Sequence, residues 1–140
     1  MDNIYNDAEN DSKIDLTELD YEAAKTPTLI QKWNRLLTEA RFQDKLIKID
    51  LRVLKAQKWE YYSGKSDPDV YMKNPPSGKK ILKTDIDKYL DMDKDINELL
   101  KKQAASEAKV EYLQNALSSM RDRSYSVQAA IKMRIFLSGG

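Results

Sequence analysis

Residues 28–64 read TLIQKWNRLLTEARFQDKLIKIDLRVLKAQKWEYYSG, and the patterning of this run decides the fold. No proline or glycine interrupts it before Gly64. Pro27-Thr28 is a start signal, because proline suits a first helical turn and threonine can cap one. Ser63-Gly64 is a stop signal, with glycine suited to the left-handed residue just past a helix end. A single helix over residues 28–63 follows, about 52 Å long at ~1.5 Å per residue.

Three stripes run along this helix in alternating steps of four and three, a spacing that keeps residues on one face. Leu29, Trp33, Leu36, Ala40, Ile47 and Leu54 form the first, with polar Gln43 among them. Phe42, Leu46, Ile49, Val53 and Ala56 form the second, and Arg41, Lys45, Lys48, Arg52 and Lys55 the third. Two apolar stripes mean a helix covered on two sides. A chain of 140 residues has little else to cover both, so Phe42, Leu46, Ile49 and Val53 are expected at an oligomer interface.

The basic stripe spans about 21 Å at ~1.5 Å per residue and runs into Lys58, Trp59, Tyr61 and Tyr62. Cations for phosphates followed by flat rings for bases are what sequence-tolerant binding of single-stranded nucleic acid requires. A charged stripe on a helix is more often only its wet face. Against that stands the absence of any acid from these five positions in a chain with 23 acids.

Net charge of +1 hides an uneven distribution. Residues 1–25 hold 8 acids and 2 bases, residues 26–83 hold 13 bases and 6 acids, and residues 84–140 hold 9 of each. An acidic segment beside a basic middle fits nucleic-acid binding or autoinhibition. Residues 1–15 read as an acidic flexible arm. Residues 16–140 read as one helical domain: a short helix over 16–24 broken at Pro27, the long helix, a basic loop over 64–83, and C-terminal helices over 84–137. The loop holds Lys65, Lys79 and Lys80, which join the nucleic-acid candidates. A joint is expected at residues 121–124 and a weakening near 103–108. With no strand-like alternation, the fold class is all-α: a long central helix with shorter helices in a homo-oligomeric assembly.

Much chemistry is excluded. Absence of cysteine removes disulfides and thiolate metal sites, and absence of histidine removes the commonest general base. Gly64-Lys65-Ser66 imitates the end of a P-loop, but Trp59 stands where the motif needs its first glycine. Asp87, Asp91 and Asp95 read as helix-terminus charges rather than a metal site. No catalytic residue, metal or cofactor is expected. No apolar run approaches the ~20 residues of a membrane span, and the acidic N-terminus is no signal peptide.

The tract from Leu54 through Trp59, Tyr61, Tyr62 and Gly64 to Lys65 resembles the UvsY-like recombination mediators of T4-like bacteriophages. So do Tyr21-Glu22-Ala23-Ala24, Lys32-Trp33, Tyr125 and Ile131-Lys132-Met133-Arg134. The likeness keeps order over most of the chain and is least close over residues 70–115. It implies a helical homo-oligomer, a ring of six or seven copies, that binds single-stranded DNA in the host cell cytoplasm. It further implies loading of a RecA-like recombinase onto strands covered by single-strand-binding protein. The family places two basic residues, one spacer apart, just ahead of the paired tyrosines. Here that triplet is Ala56-Gln57-Lys58, so Lys58 alone matches. The competing expectation is a non-enzymatic helical scaffold whose basic face binds an acidic protein.

Overall fold

The computed structural model describes residues 1–76 and 81–139. Those residues hold five α-helices and one 3-10 turn, with no strand among them. The helices are α1 (Asp2–Ser12), α2 (Leu19–Tyr62), α3 (Pro68–Lys73), α4 (Ile86–Met92) and α5 (Lys94–Leu137); the turn, Lys83–Asp85, leads into α4. The chain divides into two compact units, Met1–Phe42 with Glu107–Gly140, and Gln43–Ser106. The long helices α2 and α5 contribute to both.

The first unit is built on Trp33, which is fully buried. Leu37 and Ala40 follow it on α2 at steps of four and three, and Leu113, Ala116, Leu117 and Met120 of α5 pack in the same cluster. These spacings place each set on one helical face. Residues 1–15, expected as a flexible arm, instead supply α1, whose Ala8 belongs to that core. Asp11 explains the ordering. Its Oδ2 accepts from the Trp33 indole Nε1–H at 2.9 Å and from Lys32 Nζ at 2.7 Å. Asp7 lies 3.4 Å from the same lysine. Tyr5 meets Tyr112 edge-on with ring centroids 4.5 Å apart, a favoured aromatic geometry. A buried indole needs an acceptor, and the acidic segment provides one.

Pro27 does not break the chain into two helices, as its sequence position suggests; α2 runs through it from Leu19. Proline removes one backbone donor and crowds the carbonyl four residues earlier. The turn before it is braced from α5. Arg123 is buried, and its Nη1 donates to the Glu22 carbonyl at 2.9 Å and to Thr26 Oγ1 at 2.6 Å. Its Nη2 donates to the Lys13 carbonyl at 3.2 Å and to the buried Glu22 carboxylate. Thr26 Oγ1 in turn donates to the Glu22 carbonyl at 3.0 Å. Arg123 also lies where a joint was expected, yet α5 is continuous through 121–124 and through 103–108.

In the second unit the buried α2 positions are Asp44, Ile47 and Leu51, joined by Ile86, Asp93 and Ile96. The proposed first stripe was therefore right at Trp33, Ala40 and Ile47, but Leu37 and Leu51 are buried while Leu36 and Leu54 are only half so. The loop expected over 64–83 contains α3, which starts on Pro68, a residue preorganised for a first helical position.

Replacing Arg123 with Met leaves the Glu22 carboxylate buried beside Lys25 alone. Breaking a buried pair on one side costs about 3–5 kcal/mol. Urea unfolding followed by circular dichroism should show that loss, and Glu22→Met added to Arg123→Met should recover most of it. A change below about 1 kcal/mol for the single variant would contradict the bracing role.

Candidate nucleic-acid interface

The site begins where α2 stops. Gly64 has φ of 78°, the left-handed conformation that glycine adopts without steric cost. Its N–H donates to the Tyr61 carbonyl at 3.2 Å, and the Lys65 N–H donates to the Glu60 carbonyl at 2.9 Å. This paired closure is a Schellman motif, which satisfies carbonyls left over at a helix end. It turns the chain so that α3 can return against the last turn of α2.

Four tyrosines then form a chain of ring contacts. Tyr71 stacks on Tyr61 with centroids 5.3 Å apart, Tyr61 meets Tyr62 edge-on at 5.2 Å, and Tyr62 lies 5.8 Å from Tyr89. Their hydroxyls are engaged as well. Tyr61 donates to the Asn74 carbonyl at 2.9 Å, and Tyr71 donates to the Tyr61 carbonyl at 2.9 Å while accepting the Ser66 N–H. Tyr62 donates to Asp93 Oδ2 at 2.5 Å.

Asp93 is the centre of this end of the unit. It is buried, and its backbone is extended (ψ 126°), which separates α4 from α5, a break the sequence reading did not place between 84 and the joint expected at 121–124. Its Oδ1 accepts the Ile96 N–H at 2.9 Å, capping α5. Its Oδ2 accepts from Tyr62 and lies 3.3 Å from Lys58 Nζ, which also meets Asp95 Oδ2 at 2.7 Å. Burial disfavours the charge on both Asp93 and Lys58, but the partners outweigh it. Hydrogen bonds from Tyr62, the Ile96 N–H and Lys58 hold the Asp93 carboxyl below its ordinary range. Bonds to Asp95 and Asp93 hold the Lys58 ammonium above its own. Burial, then the Asp93 charge, push the Tyr62 hydroxyl far up.

The candidate DNA contacts thus fall into distinct settings. Lys45, Arg52 and Lys55 of the second unit are exposed on α2. Lys48 is exposed too, and pairs with the buried Asp44 at 3.0 Å. Arg41, in the first unit, is exposed. Trp59 is partly exposed, with Lys65 Nζ 5.0 Å from its ring centre. Tyr61 and Tyr62 are half-buried, and Lys58 is clasped by two carboxylates. Lys79 and Lys80 lie outside the described residues. A groove of about 810 Å³ is lined by Lys58, Tyr61, Tyr62, Lys65, Lys73 and Asp95 among others. The sequence reading missed Asp93 and Asp95 as partners of Lys58; an aspartate three residues before Ile96 was the available capping signal. The expected interface residues Leu46, Ile49 and Val53 are 39, 46 and 48% exposed, and Phe42 of the first unit is 59% exposed. For residues this apolar, such exposure leaves Leu46, Ile49 and Val53 with little cover among the described residues of the second unit. No group of metal-ligating side chains occurs among the described residues, and none of their helices is long and apolar enough to cross a membrane.

An all-helical protein with a cationic helix face, ending in a cluster of aromatic rings, is the class these observations define. The family described as "recombination, repair and ssDNA binding protein UvsY" matches residues 7–140, and the chain belongs to that family. It is 24% identical to the recombination protein uvsY of Enterobacteria phage T4 over 139 residues, 99% of this chain and 98% of the relative. Crystal structures of the bacteriophage T4 recombination mediator protein UvsY share the fold. One lattice type aligns with TM-score 0.84 at 23% identity, over 96% of this chain and 98% of the other. A second aligns with TM-score 0.85 at 23% identity, over 99% and 97%.

The shifts at Asp93, Lys58 and Tyr62 set a pH window. Asp93, with its folded pKa lowered, stabilises fully above about pH 4 and loses that contribution as pH falls. Lys58 and Tyr62, with theirs raised, stabilise fully below about pH 10 and lose it as pH rises. Thermal midpoints should therefore be flat between these limits, and Asp93→Asn should lower the plateau and weaken the acid-side fall. In a spectrophotometric titration of the 8 tyrosines, Tyr62→Phe should delete the most alkaline step. Unchanged titration on this substitution would contradict the Tyr62–Asp93 bond.

Proposed function

We propose that this chain binds single-stranded DNA along the basic face of α2. In the same reading it acts as a homo-oligomer that helps a RecA-like recombinase assemble on strands covered by single-strand-binding protein, in the cytoplasm of the host. The observation that carries the reading is the exposure of Lys45, Arg52 and Lys55 on one face of one helix, beside Lys48, where they can neutralise phosphates. Family membership supports it, and the T4 relative is described as a recombination mediator.

In this reading Arg41, Lys45, Lys48, Arg52, Lys55 and Lys58 follow the phosphates, Trp59 offers its ring to a base, and Tyr61, Tyr62 and Lys65 shape the end of the track. Lys79 and Lys80 add charge nearby in sequence. Leu46, Ile49 and Val53, with Phe42, join copies into a ring of six or seven. A heterologous contact closes into a ring when its rotation permits. Such a mediator works without turnover, by binding one strand geometry better than another, since differential affinity is how a ligand shifts an equilibrium.

Binding to oligo-dT should weaken linearly on a logarithmic salt scale, with a slope of about −0.7 per phosphate neutralised on each subunit engaged. Arg52→Ala and Lys55→Ala should each flatten that slope by about 0.7 per engaged subunit. Salt-insensitive binding would reduce the stripe to a wet face. Salt-dependent capture of an acidic polypeptide, without response to oligo-dT, would favour the scaffold alternative. Ile49→Asp or Val53→Asp should dissociate the assembly in light scattering, and a monomeric wild type at micromolar concentration would refute self-association.

A further inference from the structure

Of the two basic positions that the resemblance places just ahead of the paired tyrosines, this chain matches one, Lys58, and that lysine faces carboxylates. Its Nζ sits 2.7 Å from Asp95 Oδ2 and 3.3 Å from Asp93 Oδ2, at the edge of the groove that Lys65 and Lys73 also line. The two acids are not equivalent. Asp93 is 5% exposed, and both of its oxygens are engaged by other donors, the Ile96 N–H and the Tyr62 hydroxyl. The Asp95 side chain is 60% exposed and lies one residue inside α5. Removing Lys58 from Asp93 would strand a buried charge, which is costly. Removing it from Asp95 exposes a carboxylate to water, which costs little.

Resting on the nucleic-acid reading above, we propose that Asp95 is a built-in competitor for the phosphate that Lys58 takes. A strand entering the groove displaces the Asp95 carboxylate from Lys58, while Asp93 keeps the ammonium in place. The exchange is one oxyanion for another at the same cation: the Lys58–Asp95 hydrogen bond is given up for one to phosphate, no covalent bond changes, and the fold need not move. Asp93 is then a positioning residue and Asp95 an electrostatic brake. The brake holds back isolated short contacts more than a strand held by several subunits, because a tethered strand presents its phosphates at high effective concentration.

The experiment measures oligo-dT affinity of the full chain by fluorescence anisotropy for wild type, Asp95→Asn and Glu98→Gln. Glu98 lies on the same helix and pairs with Lys94 instead, so its substitution removes the same charge without touching Lys58. Asp95→Asn should bind roughly two- to five-fold tighter, the range an exposed pair can contribute. The gain should be largest near ~50 mM salt and vanish near ~0.5 M, where both interactions are screened. Glu98→Gln should bind as wild type does. In a Lys58→Gln background, adding Asp95→Asn should give no gain, since the pair is already broken. Equal tightening by Asp95→Asn and Glu98→Gln would overturn the proposal in favour of net charge alone. So would no tightening by Asp95→Asn while the wild type binds with its salt slope, or a gain that survives in the Lys58→Gln background. A wild type that does not bind oligo-dT would instead overturn the DNA-binding reading itself.

Discussion

The register of α2 is the constraint on which the rest depends. In the second unit its residues come in threes, Asp44-Lys45-Leu46, Ile47-Lys48-Ile49 and Leu51-Arg52-Val53, and the order inside each is the same: buried, basic, exposed and apolar. Successive helical residues point about 100° apart, so a strict 3-4 repeat builds three separate faces from one segment. Burial of Ile47 and Leu51 thereby dictates that Lys48 and Arg52 meet water and that Ile49 and Val53 stay uncovered. A single change of phase would bury a cation or a carboxylate elsewhere. The proposed strand track and the proposed subunit contact are consequences of the same packing decision.

Asp93 closes the second unit in a different way. One buried carboxylate caps α5, receives the Tyr62 hydroxyl and attracts Lys58 from the end of α2. Three donors on one acid satisfy its charge inside the unit, which an unpaired buried carboxylate could not tolerate. The cost falls on Lys58, a cation whose charge is already engaged before any ligand arrives. Its value to a polyanion is thus a difference between two partners, not the full worth of an exposed lysine.

Much of this was legible in the sequence. The all-α class followed from uninterrupted 3-4 periodicity, and the exposed apolar positions Leu46, Ile49 and Val53 followed from counting stripes against available cover. Other features were illegible for physical reasons. Pro27 reads as a boundary because its local cost is visible in sequence, whereas the brace that offsets it comes from Arg123, 96 positions later. The acidic first segment reads as disordered because composition cannot reveal that Asp11 is the acceptor for a buried indole. The tracts that carry the family likeness divide the same way. Glu22, Trp33 and Arg134 serve packing and cross-links in the first unit, and Tyr61 and Tyr62 serve the ring chain in the second. A likeness in those residues speaks first for the fold and only then for the ligand.

If one helix supplies both the track and the contact between copies, a strand bound by the assembly must follow several tracks at once and be bent or wrapped. Energy transfer between dyes at the two ends of an oligo-dT tests this directly. The ends should approach when the wild-type chain binds. With Ile49→Asp, which keeps every cation and should break the proposed assembly, binding should persist weakly with the ends remaining apart. Ends that stay apart with the wild type, or that approach equally with Ile49→Asp, would contradict the account.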